Sequence, residues 1–174
     1  PLAETMKWWP AMTDVALHDR ALGAYLGLAI GDALGATVEF MRPREIQAQY
    51  GVHRDIVGGG WLKLASGQVT DDTTMSLALG EALLQGDTRS LRGLMEGDET
   101  LIRGIGDAYV RWFKAKPVDC GNTCRRGIRR YMNEGTLAGE FNPGDGGNGV
   151  AGRNAVHWAT LPGAAHAGGE RVDV

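Results

Sequence analysis

The chain has 174 residues, enough for one domain with a proper core. Its 43% hydrophobic and 22% charged residues belong to a globular protein, and a net charge of −3 gives no reason to expect nucleic acid as a partner. No apolar run reaches the ~20 residues of a membrane span, Trp8 and Trp9 precede no secretory cleavage pattern, and Cys120 and Cys124 make neither a disulfide framework nor a zinc site, so a reducing cytoplasm is expected.

Residues 1–12 read as a loose lead-in. A helix starts near Thr13 or Asp14, either of which can cap it. Leu22, Tyr25, Leu26, Ala29, Ile30, Ala33 and Leu34 then recur at helical spacing. Gly23, Gly27, Gly31 and Gly35 fall four apart on one stripe. Each costs the helix about 1 kcal/mol relative to Ala. The stripe therefore predicts close approach of another helix, with ligand access near its C-terminal end as the alternative. Pro43 opens a short helix that ends at Gly51. Val52 to Val57 is the best strand candidate, and it is short. Gly58-Gly59-Gly60-Trp61 begins a loop. A helix follows through Leu77, Ala78, Leu79, Ala82 and Leu83 and stops at Gly86. Two more run from Glu99 to Lys114 and from Asn122 to Glu134, separated by Pro117. The fold class is all-α, with functional loops between helices. From Asn142 the periodicity fails, and the last dozen residues are expected to be disordered.

Four groups of residues can carry chemistry. Thr70-Asp71-Asp72-Thr73 sits where the third helix starts. Thr and Asp are what a helix N-terminus wants for its orphan N–H groups. They are also the hard oxygen donors that Mg²⁺ or Mn²⁺ prefers. Asp32 and Glu39 flank the end of the first helix in apolar surroundings. Such carboxylates are ion-paired, metal-linked or catalytic. Asp119, Asn122 and the arginines 125, 126, 129 and 130 form a third group. The arginines share one helix face, either solvated or meeting phosphate or an acidic partner. Last, the Gly144 to Gly149 loop is a surface turn or a cradle of backbone N–H groups for a phosphate.

In their order, these pieces resemble the ADP-ribosylglycohydrolase family. The likeness runs over about residues 18–154. It is carried by Asp19-Arg20-Ala21-Leu22-Gly23-Ala24, by the stretch from Gly31 to Phe40, and by Gly58-Gly59-Gly60-Trp61. Thr70-Asp71-Asp72-Thr73, the stretch from Pro117 to Met132 and Gly147-Asn148-Gly149 complete it. The resemblance implies the N-terminal part of an orthogonal helical fold, spanning residues 13–154. It implies a hydrolase that removes ADP-ribose from a modified arginine, with two Mn²⁺ or Mg²⁺ ions as cofactors. Thr70, Asp71 and Asp72 match the first metal-ligand group. Glu39 and Asp71 match acidic residues at the metals, either able to take a proton from water. Asp119, matched beside the leaving guanidine, would hold it protonated. Asp32, Asn122, Gly147, Asn148 and Gly149 match substrate-binding positions. The implied substrate is an ADP-ribosylated protein, dinitrogenase reductase. A PII signalling protein and an ammonium transporter are the further implied partners, the latter with reversible membrane association.

The chain departs from the family in its Gly-rich loop, where Gly152 stands before Arg153 in place of the usual Met, and in its metal ligands. It has no Asp-x-Asp-Thr after residue 73, the motif that supplies the other half of the metal cage in the family. These cations want about six oxygens each. The sequence therefore reads as truncated or frame-shifted, with an atypical tail over 155–174 and an apolar face left exposed. The alternative to a hydrolase is an incomplete fragment that only binds ADP-ribose or a partner protein.

Overall fold

The computed structural model describes residues 14–85 and 97–137. It divides into two compact units, one up to Val69 and one from Thr70. Among the described residues there are five α-helices and no strand. None of these helices is long and apolar enough to cross a membrane.

The first unit begins with α1, Asp14–Gly35, which runs on into a 3-10 turn, Ala36–Val38. The glycine stripe of α1 does not mediate close packing among the described residues. A Cβ added at Gly23, Gly27, Gly31 or Gly35 would meet nothing within 4 Å. The apolar series is likewise turned outward, with Leu22, Tyr25, Leu26 and Ile30 exposed and Ala33 buried. Helical periodicity gave the right element, but periodicity marks a face without saying what covers it.

Helix α2, Pro43–Tyr50, has Pro in its first turn, where its missing N–H costs nothing. Glu45 accepts the backbone N–H of Arg42 at 2.7 Å and closes that end. The loop after α2 is not a strand. A His53 ring nitrogen lies 2.9 Å from the Leu34 carbonyl, tying the loop to the end of α1. The only ladder among the described residues is an isolated antiparallel bridge between Gly59 and Leu64. Gly60 inside that turn is pressed on the 3-10 segment. A Cβ there would lie 2.7 Å from the Ala36 carbonyl oxygen, so only Gly fits.

The second unit packs α3 (Asp71–Gln85), α4 (Glu99–Lys114) and α5 (Asn122–Glu134) around one core. Met75, Ala78 and Ala82 come from α3, Ile105, Ala108 and Tyr109 from α4, and Cys124 and Ile128 from α5. Helical spacing produces each set. Asp98 caps α4 by accepting the N–H groups of Thr100 and Leu101. Gly135, left-handed at φ 66°, ends α5. Where α5 crosses α4, Gly106 makes room for the Tyr131 ring, and a Cβ there would come within 2.8 Å of it. The Tyr131 hydroxyl donates to Asp107 at 2.9 Å. Both cysteines are buried, and neither is in a disulfide. Burial also pushes the Tyr109 hydroxyl up to about 12.

Candidate active site

The N-termini of α3 and α5 meet inside the second unit. Thr70 holds the N-cap position of α3, since its carbonyl accepts the first helical N–H, from Thr74, at 3.2 Å. Asp71 and Asp72 therefore fill the first turn, where the helix dipole favours negative charge. Thr70 is buried, and the two carboxylates are half-buried. The Thr74 hydroxyl donates back to the Thr70 carbonyl at 2.8 Å and accepts the Trp112 indole N–H at 2.9 Å. Thus α4 pins the first turn of α3. The cap and the ligand cluster are the same four residues.

One bond brings the second carboxylate group to the first. Asp71 Oδ2 accepts the backbone N–H of Gly121, the cap of α5, at 2.9 Å. Asp119 stands two residues upstream, and its Oδ1 accepts the N–H of Cys120 at 2.7 Å. Burial, above all, raises the Asp119 carboxyl above the ordinary carboxylate range. The Cys120 N–H opposes that rise, the nearby charge of Asp71 adds to it, and Arg125 opposes it. Arg125 also donates to the Cys120 carbonyl at 3.0 Å, which fixes the loop. A half-buried acid that keeps its proton longer than usual thus lies beside an acidic helix end. That arrangement can hand a proton to a basic leaving group.

The other expected site residues are placed as follows. Asn122 is the first residue of α5 and is exposed. Asp32 on α1 and Glu39 just after the 3-10 turn are half-buried in the first unit. Gly147, Asn148 and Gly149 lie outside the described residues. The arginine face is partly engaged: Arg126 donates to Thr123 at 3.4 Å, and Arg129 lies 6.0 Å from the Phe113 ring centroid. Sequence reasoning grouped Arg125 with Asp119 but missed Gly121 and Trp112 as supports of the site. A backbone N–H leaves no sequence signature, and only the crossing of α3 and α4 reveals the partner of Trp112.

The donors at α3 suit a hard divalent cation in kind, with two carboxylates and a threonine at one helix end. They form a partial shell in number. No group of three or more Asp, Glu, His or Cys side chains able to hold a metal occurs among the described residues.

Comparison with known proteins agrees with the motifs. The ADP-ribosylglycohydrolase family model matches residues 13–172. The chain is 56% identical over 140 residues to the ADP-ribosyl-[dinitrogen reductase] glycohydrolase of Rhodospirillum rubrum, covering 80% of this chain and 44% of that protein. It is 37% identical over 139 residues to the ADP-ribosylarginine hydrolase Tri1 of Pseudomonas putida, covering 75% of this chain and 33% of that one. A solved ADP-ribosylglycohydrolase-related protein complex superposes with a TM-score of 0.57 at 37% identity, covering 79% of this chain and 41% of that one. The chain spans less than half the length of each of these relatives. With its helical fold and its Thr70 to Thr73 element in place, the chain belongs to the ADP-ribosylglycohydrolase family.

Proposed function

We propose that this chain carries the acidic half of a metal-dependent hydrolase site that frees ADP-ribose from arginine on a modified protein. The observation that supports this best is the bond from the Gly121 N–H to Asp71, which sets Asp119 beside the metal-type donors of α3. The names of the relatives supply the substrate class. In hydrolysis the bond between the anomeric carbon and the guanidine nitrogen breaks, and water adds its oxygen to the carbon. One proton leaves the water and one must reach the departing guanidine. Asp119, whose carboxyl burial shifts toward the protonated form, would supply the second. Thr70, Asp71 and Asp72 would hold Mn²⁺ or Mg²⁺, with further ligands from outside the described residues. When bound, such a cation lowers the pKa of a water ligand and orients ribose hydroxyls. Glu39, as the base that takes the water's proton, rests on the family likeness. So do Asp32, Asn122 and the Gly147 to Gly149 loop as substrate contacts. Dinitrogenase reductase is the proposed target, with a PII signalling protein and an ammonium transporter as further partners in the cytoplasm.

The test is release of ADP-ribose from ADP-ribosylated arginine in the presence of Mn²⁺. Release that falls by about a hundredfold in Asp119→Asn, in line with loss of a general acid, supports the reading. Release that Asp119→Asn leaves unchanged overturns the role of Asp119. ADP-ribose binding with no release favours a binding-only chain.

A further inference from the structure

In the first unit, two large aromatic side chains are displayed to solvent as a pair. Phe40 is 78% exposed and Trp61 is 61% exposed. Their ring centroids are 5.8 Å apart and their planes stand at 81°. Burial does not account for them, and the backbone works to hold them out. Phe40 sits at φ +64° and Lys63 at φ +55°, conformations that L side chains rarely adopt. Trp61 rides on a turn closed by three bonds: Gly59 N–H to Leu64 O, Leu64 N–H to Gly59 O, and Lys63 N–H to Gly60 O. Gly60, packed on the Ala36 and Thr37 carbonyls, anchors that turn beneath the residue pair that leads into Glu39. Strain kept at exposed residues, on a segment next to a candidate catalytic carboxylate, points to recognition.

The geometry selects the kind of ligand. Two rings at 81° leave a corner between one ring's face and the other's edge. A corner accepts one apolar side chain. The charges select the rest. Arg42, Arg44 and Lys63 are exposed and flank the two rings along the chain. The acids on the same segments are Glu39, half-buried, and Glu45, which accepts the Arg42 N–H. An apolar cover from within the protein would strip three cations of water, which is costly without counter-charges. We propose that the Phe40–Trp61 corner docks an acidic polypeptide segment through one apolar anchor residue. It would be the segment of the target protein next to the modified arginine, a role that rests on the hydrolase reading. The rigid turn lowers the ordering cost of such docking.

The experiment is calorimetric titration of the 174-residue chain with a short synthetic peptide of glutamates around one central leucine. Binding is expected, and it weakens at least about tenfold in Trp61→Ala, where an aromatic anchor is lost. It also weakens in Arg44→Glu, a change at an exposed first-turn position of α2 where a carboxylate suits the helix. That second variant keeps its melting temperature, so a folding defect cannot imitate the effect. A serine-centred peptide and a lysine-flanked peptide do not bind. Equal binding by the serine-centred peptide, or binding unchanged in both variants, overturns the corner. Self-association of the parent chain that Trp61→Ala abolishes also overturns it, since the occupant is then a second copy. The probe carries no ADP-ribose, so failure to bind it leaves the hydrolase reading intact. A failed hydrolysis assay likewise leaves the docking result standing.

Discussion

Replacing Asp71 separates what its charge does from what its shape does. Its Oδ2 accepts the Gly121 N–H at 2.9 Å across the join of α3 and α5. A hydrogen bond to a charged group contributes about 1.5–3 kcal/mol. Gly121 is exposed, so water replaces part of that when the carboxylate goes, leaving roughly 1 kcal/mol. A carboxylate in the first turn of a helix adds about 0.3–1 kcal/mol through the dipole. Asp71→Ala should therefore cost about 1–2 kcal/mol in urea unfolding. Asp71→Asn keeps an acceptor oxygen for Gly121 and should cost only the dipole share, about 0.3–1 kcal/mol. Both variants remove a negative charge that raises the Asp119 carboxyl, so its titration followed by carboxyl ¹³C NMR should move down in both. Equal destabilisation by Ala and Asn would refute the hydrogen-bond share. An Asp119 titration unmoved by either would refute the pairing of the two carboxylates.

Three further outcomes follow from packing and charge. Thr37 is 1% exposed and its hydroxyl has no partner among the described residues, so Thr37→Val, near in shape, should stabilise by about 1–3 kcal/mol and raise the urea midpoint. A lower midpoint would mean that the hydroxyl is bonded after all. Gly106→Ala puts a methyl within 2.8 Å of the Tyr131 ring and should cost about 1–3 kcal/mol by thermal melting, whereas a helical Gly in open space would gain from Ala. For Asp119 the raised carboxyl means that the folded state holds more protons than the unfolded one, so stability falls as pH rises from the ordinary carboxylate range through the raised value. Asp119→Asn should flatten that fall in urea midpoints measured against pH, and a parent profile without the fall contradicts the shift.

Most of the fold was legible because periodicity and punctuation coincide. Ile102, Ile105, Ala108 and Tyr109 mark the buried face of α4, Pro117 follows its end, and Gly135 closes α5. The short strand candidate at Val52 to Val57 is loop, as the all-α reading requires, and the one ladder among the described residues is the isolated bridge between Gly59 and Leu64. The stripe of Gly23 to Gly35 meets no neighbour among the described residues. Glycine spacing says that a helix can be approached, and the approach itself is a tertiary fact. At the site, residue types identified Thr70 to Thr73 and Asp119, while the link between them runs through a main-chain N–H that any residue but Pro possesses. The exposed pairing of Phe40 with Trp61 was equally hidden, since it depends on two left-handed residues that the sequence does not flag.

The central claim is that the first turn of α3 is a cation site as well as a cap. Calorimetric titration of the chain with Mn²⁺ tests it most directly, with Asp71→Ala and Asp72→Ala alongside. Heat of binding in the parent that disappears in both variants is the expected result, because each removes a hard oxygen donor from the same shell. No heat in the parent, or heat that both variants retain, would leave Thr70 to Thr73 as a helix cap alone.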